Sequence, residues 1–170
     1  MKKGFTLVET LIYVALFGML SIMLVSSLTA MLRSYTEMRA RHDVLNSARV
    51  VLERVTREVR GADSVDVGSS TLGTSPGVLK LNTTDSGGTS KTVQFSKNGT
   101  SGLIEILDSS DGTARVLSGT KATVTSLIFR KITTTSGEAV RVELVLTQAR
   151  GGSSGSSFNF YDTIALRGSY

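Results

Sequence analysis

The apolar residues of the chain follow three successive patterns, and each pattern predicts a different kind of structure. Residues 5–32 are almost continuously apolar, and the 22 residues from 11 to 32 carry no charge. A helix of that length can cross a hydrocarbon core about 30 Å thick. The few serine and threonine side chains in the run are compatible with this, because their hydroxyls can donate to helix carbonyls. The first pattern therefore predicts a transmembrane helix.

From 33 to 62 the apolar residues return at helical spacing and form one stripe. Charged residues four apart lie on the remaining surface, where they suit intrahelical ion pairs. No glycine or proline interrupts residues 19–60, so we expect one continuous helix from about 5 to 60, ended by Gly61. The predicted stripe comprises Met38, Leu45, Ala48, Leu52, Val55 and Val59, with Val44 and Val51 beside it.

After residue 62 helical periodicity disappears, and short β-prone runs alternate with clusters of glycine, serine, threonine, asparagine and aspartate. In the run 139–147 every second residue is apolar, which is typical of a strand with one buried face. The pattern predicts an α+β fold in which seven strands form an antiparallel sheet, covered on one face by the helical stripe. The predicted strands are 77–81, 91–96, 102–107, 114–117, 123–132, 139–147 and 158–166.

Composition and charge exclude several kinds of function. The chain of 170 residues has no cysteine, so it forms neither disulfides nor cysteine metal sites, and its one histidine is His42. We expect His42 to be an exposed residue of the charged helix rather than a catalytic base. The net charge is +5, but residues 61–170 hold ten basic and nine acidic residues. This balance argues against a nucleic-acid partner for the C-terminal part.

Two acidic residues are weak candidates for a metal site. Asp108 and Asp111 lie in the stretch "DSSDG", and their oxygens are ligands that calcium prefers. The full spacing of a calcium-binding loop is missing, and Asp–Gly pairs are common in hairpin turns. We therefore favour a turn here and expect neither a cofactor nor a catalytic residue in the chain.

The opening stretch "KKGFTLVET" places one carboxylate, Glu9, near the start of the apolar run. The run is much longer than the 7–15 apolar residues of a cleaved secretory signal. The short basic leader, the glycine, the phenylalanine and the glutamate resemble the class III signal of type IV prepilins and type II secretion pseudopilins. The resemblance implies cleavage by prepilin peptidase between Gly4 and Phe5, followed by N-methylation of Phe5. Glu9 then becomes the fifth residue of the mature chain, where the family keeps its glutamate.

The family resemblance also implies a domain organisation, partners and a location. The leader is 1–4, the transmembrane and assembly helix is 5–32, the amphipathic stem is 33–62, and the β-rich head is 63–170. The implied partners are prepilin peptidase, other pilin or pseudopilin subunits contacted through the N-terminal helices, and an inner-membrane assembly platform. The subunit would cross the inner membrane once with its head outside the cytoplasm, and would then enter an extracytoplasmic filament held by a contact between Glu9 and a neighbour's N-terminal amine.

Within the family, the stem 45–65 and the ending 160–170 look most like those of J-type minor pseudopilins. Two departures concern features of many pilins: the chain has no proline in its helix and no C-terminal disulfide loop. Two alternatives remain open at this point. One is a competence pilin that binds DNA, and the other is a membrane-anchored extracytoplasmic enzyme with an uncleaved signal anchor.

Overall fold

The computed structural model describes residues 4, 6–85, 87–134, 137–148 and 156–167. Contacts divide the chain into two units, Met1–Arg39 and Ala40–Tyr170. Helix α1 spans Leu7–Gly61 and contributes residues to both units. The predicted helix is therefore confirmed, and Gly61 is its last residue.

In the first unit the helix exposes its apolar side chains. Residues 7–39 contain no buried residue, and only Glu9 and Ser21 among them are partly buried. The large side chains of Phe17 and Met31 are 73% and 72% exposed. A helix that is apolar around its whole circumference is typical of a helix in an apolar surrounding.

In the second unit the helix buries one face against the strands. The fully buried valines are Val44, Val51, Val55 and Val59, three or four residues apart on either side of Ala48. The predicted buried stripe is wrong at its N-terminal end, since Met38 and Leu45 are 67% and 50% exposed. The buried face is centred on these four valines. Each helical residue is rotated by about 100° from the one before it, so the neighbour of a buried valine is turned away from the centre of that face. Leu45 therefore lies to one side of that face.

Eight strands follow α1 in the described residues. The sequence missed β1, which has two residues, and predicted the other seven with shifted ends. The strands are β1 Ser64–Val65, β2 Leu79–Thr84, β3 Ser90–Lys97, β4 Ile104–Asp108, β5 Ala114–Val116, β6 Ala122–Thr134, β7 Gly137–Gln148 and β8 Ser157–Ala165.

The α+β class is confirmed, but the expectation of a single sheet is wrong. Strands β1 to β5 form one antiparallel sheet in sequence order, and β6 to β8 form a second. The division falls after β5. There the Leu117 amide donates to the Ile104 carbonyl (2.8 Å), and the Ser118 hydroxyl accepts from the Ile104 amide (2.9 Å). These bonds continue the contact between β4 and the chain beyond the last residue of β5.

A β-bulge in β6 explains a break in its alternation. The register with β7 shifts between Val124 and Ser126. Because Thr125 is the extra residue, the buried side chains are Val124 before the bulge and Leu127 and Phe129 after it. The interrupted alternation in "TVTSLIF" was the sequence signal for this bulge.

The segment between β1 and β2 lies along the outer edge of β6. The amides of Gly73 and Gly77 donate to the carbonyls of Phe129 and Leu127, each at 2.8 Å, and the Ser75 hydroxyl accepts from the Leu127 amide at 3.3 Å. The segment therefore joins the two sheets and covers the β6 edge. A Cβ atom on Gly77 would lie 3.0 Å from the Leu127 carbonyl oxygen, so a side chain there would crowd the backbone of β6.

One hydrophobic core unites the second unit. It combines the buried helix face with the inner faces of both sheets, including Leu79 and Leu81 of β2 and Phe95 of β3. The predicted alternation of β7 is confirmed, since every second residue from Val140 to Leu146 is fully buried. At the helix end the Thr83 hydroxyl donates to the Gly61 carbonyl at 3.2 Å, which satisfies one of the last helical carbonyls.

Candidate processing and assembly site

The N-terminus of α1 is set by a side-chain cap. Helix α1 begins at Leu7, and the Thr6 hydroxyl accepts a hydrogen bond from the Glu9 amide at 3.3 Å. Thr6 is thus the N-cap and Glu9 is the third helical residue, which is the T-x-x-E spacing of a capping box. The sequence reasoning missed this cap, although the letters "TLVE" carry its signal.

The Glu9 side chain lies at the positive end of the helix dipole and has an intrahelical partner. The Tyr13 hydroxyl donates to Oε1 of Glu9 at 3.4 Å, one helical turn further along. A carboxylate in the first turn is favoured by the exposed amides there. Glu9 is also the acidic residue of the first turn, followed by an apolar helix surface. Nothing in the sequence reasoning had assigned Tyr13.

The residue before the predicted cleavage bond is accessible. Gly4 is exposed and precedes the helix, and no atom lies within 4 Å of the position that its Cβ would take. Phe5, the predicted site of N-methylation, lies outside the described residues. The described part of this region therefore places an uncrowded glycine two residues before the N-cap, Thr6.

By length and composition α1 can cross a membrane, and no other helix in the described residues passes that test. The apolar window that qualifies lies near the N-terminus, and none of it is buried within the protein. This exposure distinguishes it from a core helix of similar composition, which would be mostly buried.

The two weak calcium candidates lie in a turn and already have partners. Asp108 accepts hydrogen bonds from the Ser110 amide (3.0 Å) and hydroxyl (2.8 Å) and from Lys91 Nζ (3.0 Å). The Ser110 amide, with the Lys91 ammonium, lowers the pKa of Asp108 to about 2. Asp111 accepts from the Thr113 amide and pairs with Arg115. The Lys91 ammonium and the Arg115 guanidinium thus already contact carboxylate oxygens that calcium would need as ligands.

Within the described residues no three histidine or acidic side chains are grouped so that they could hold a metal ion. His42 is exposed on the helix, as the sequence predicted.

The basic residues of the head are mostly paired with acids. Five lysine and arginine side chains that a DNA-binding surface could use form ion pairs. These are Lys80 with Asp66 (3.7 Å), Lys91 with Asp108 (3.0 Å), Lys121 with Asp43 (3.4 Å), Arg130 with Glu143 (3.0 Å) and Lys131 with Glu138 (2.6 Å). Paired cations present less net positive potential to a phosphate backbone than free ones.

A groove of about 550 Å³ lies between the second half of α1 and β8. Its walls include Leu45 and Leu52 of the helix and Phe160 of β8. At one end the Thr56 hydroxyl donates to Oδ2 of Asp162 at 3.0 Å and ties the helix to this strand. The sequence reasoning did not identify Asp162, because the inward direction of its side chain follows from the pairing of β8 with β7.

Comparison with protein families gives one match. Residues 1–25 match the model of the family described as the prokaryotic N-terminal methylation motif. The match supports the class of type IV pilins and pseudopilins, and so confirms the resemblance seen in the opening stretch. The helix followed by antiparallel sheets gives this pilin-like chain the α+β architecture expected of that class. No curated protein and no solved structure matches the chain.

Proposed function

We propose that this protein is a structural subunit of a type IV pilus or a type II secretion pseudopilus. Prepilin peptidase removes residues 1–4 and methylates the new N-terminus at Phe5. The subunit crosses the inner membrane once, carries its head outside the cytoplasm, and assembles through its N-terminal helix. The observation that carries the proposal is the methylation motif at 1–25, which is continuous with an unburied apolar helix.

The proposed processing step fits the local structure at the leader. A protease needs an accessible, extended substrate, and Gly4 is exposed outside the helix. The cap at Thr6 starts the helix at Leu7, so Gly4 lies outside the helical hydrogen bonding. The family resemblance supplies the chemistry of cleavage and methylation.

In the proposed assembly step Glu9 recognises a second subunit. A carboxylate within a membrane helix is costly and persists where it has a polar or charged partner. In a bundle of apolar helices, a neighbour's N-terminal amine supplies the opposite charge, and their attraction offsets the desolvation of both groups. Since one axial stagger brings the two groups together, the pair would fix the register between subunits.

Processing and assembly are tested separately. Mass spectrometry of the full chain isolated from its host membrane should show a protein that starts at methyl-Phe5. Gly4→Ala should retain some processing, whereas Gly4→Phe should abolish it because the bulky side chain cannot replace glycine at the cleavage site. A mature chain that retains Lys2 and Lys3 would refute the processing step.

Assembly is tested by Glu9→Ala, with Glu37→Ala as the matched control on the same helix beyond the apolar run. Glu9→Ala should be inserted and cleaved normally but should be missing from sheared filaments or from cross-linked subunit ladders. Glu37→Ala should be incorporated like the wild type. Wild-type incorporation of Glu9→Ala would refute the role of the carboxylate.

Within this function, the stem and the ending support a J-type minor pseudopilin as the closer assignment. The competence alternative predicts salt-dependent DNA binding by the full chain, which the paired basic residues of the head disfavour. The enzyme alternative predicts a reactive cluster in the head and no dependence on Glu9. Co-purification with other pilin-like subunits would favour the minor subunit over both.

A further inference from the structure

The hydrogen bond between Tyr13 and Glu9 suggests how the carboxylate is held before a second subunit arrives. Oη of Tyr13 lies 3.4 Å from Oε1 of Glu9, and the two residues are four apart on one face of α1. This is the spacing at which helical side chains meet. Tyr13 is the first tyrosine of the apolar run and lies one turn deeper into it than the acid.

The neighbouring hydroxyls are committed to the backbone. The Thr10 hydroxyl donates to the Leu7 carbonyl at 2.8 Å, and the Thr6 hydroxyl accepts the Glu9 amide as the helix cap. The cap fixes where the helix starts, and Glu9 lies in its first turn. Among these nearby groups, Tyr13 is the one whose hydroxyl donates to the carboxylate itself.

We propose that Tyr13 is a positioning residue whose hydroxyl donates a hydrogen bond to the Glu9 carboxylate while the subunit is unassembled in the membrane. The bond supplies a polar partner inside the chain where lipid supplies none. It also directs the carboxylate along the helix surface toward the next turn. The proposal rests on the proposed function in one respect, namely that residues 5–32 lie in a membrane, and it does not require that Glu9 pair with an amine.

The direct test is infrared spectroscopy of the full chain in lipid nanodiscs without an assembly machine. Tyr13 carries a ring isotope label, so that its C–O stretching band, which is sensitive to hydrogen-bond donation, is resolved from the other tyrosines. The band should lie at the donor position in the wild type and should shift in Glu9→Ala. A label on Tyr35 of the same helix is the control and should not respond. An identical Tyr13 band in wild type and Glu9→Ala overturns the proposal.

A double-mutant cycle gives a second, functional test. In cells without the assembly machine, the fraction of full chain stably inserted in the membrane is measured for Tyr13→Phe with Glu9 present and with Glu9→Ala. Tyr13→Phe should lower the ratio of inserted to non-inserted chain about three-fold when Glu9 is present, in line with measured side-chain hydrogen bonds between membrane helices. In the Glu9→Ala background it should have no effect, and Tyr35→Phe should have none in either.

The outcomes separate this inference from the proposed function. Equal effects of Tyr13→Phe in both backgrounds would show that the tyrosine acts as an interfacial anchor independent of Glu9, and would overturn the proposal. If Glu9→Ala assembles normally while the infrared shift is present, the filament role of Glu9 fails and the Tyr13 bond stands. If Glu9→Ala fails to assemble and no infrared shift is seen, the filament role of Glu9 stands and the Tyr13 bond fails.

Discussion

Truncation of Val51 to alanine tests whether the buried face of α1 holds the head together. Val51 is fully buried in the core that joins the helix to both sheets. Removing two methyl groups loses about 1.6 kcal/mol of transfer free energy, and the remaining cavity brings the cost to about 2–3 kcal/mol. Alanine is the better helix former by about 0.5 kcal/mol, which offsets part of the loss. The free energy of unfolding should therefore fall by about 2 kcal/mol.

The neighbouring residue Val50 provides the matched control. Val50 is 45% exposed on the same helix, so Val50→Ala loses little burial and gains helix propensity. We expect its free energy of unfolding to stay level or rise by a few tenths of a kcal/mol. Thermal unfolding of the full chain in nanodiscs, followed by circular dichroism, should show a fall of about 8 °C for Val51→Ala. Equal melting temperatures for the two variants would refute the assignment of the buried face.

Two further predictions concern the head. Gly77→Ala should lower the free energy of unfolding by about 1–3 kcal/mol, because its Cβ would meet the backbone of β6. Gly99 has open space around it, so Gly99→Ala should change the free energy of unfolding by less than about 0.5 kcal/mol. Equal melting temperatures for the two variants would contradict the contact at Gly77. Asp108 has its pKa lowered from 3.8 to about 2, so its contribution to stability is complete above pH ~4 and is lost as the pH falls through about 2. The stability difference between wild type and Asp108→Asn, measured by urea unfolding, should shrink over that interval, and a difference that does not change with pH would contradict this.

The existence of the long helix could be read from the sequence, but the direction of its buried face was only partly predictable. Apolar residues at 44, 45, 48, 51, 52, 55 and 59 fit more than one stripe of similar width. The choice between Val44 and Leu45 depends on where the strands lie. In the structure the small β-branched side chain faces the core and the larger leucine remains half-exposed.

The proposed processing and assembly residues could be named from the sequence because the motif that predicts them is local. Gly4, Phe5 and Glu9 have fixed offsets along the chain, and the family model matches the same segment. The partner of Glu9 was missed, although Tyr13 is only four residues away. A tyrosine within an apolar run has several ordinary explanations, and the side-chain direction was needed to choose among them.

The sequence by itself determined the order of elements: a membrane-length apolar helix, its amphipathic continuation, and a series of strands with turn residues between them. These follow from local periodicity, which a single segment carries without its neighbours. The tertiary structure decided that the strands divide into two sheets, that β6 contains a bulge, and that Asp162 of β8 bonds to Thr56 of α1. Such pairings join residues far apart in the chain, and strands of similar composition can pair in several orders until a common core selects one.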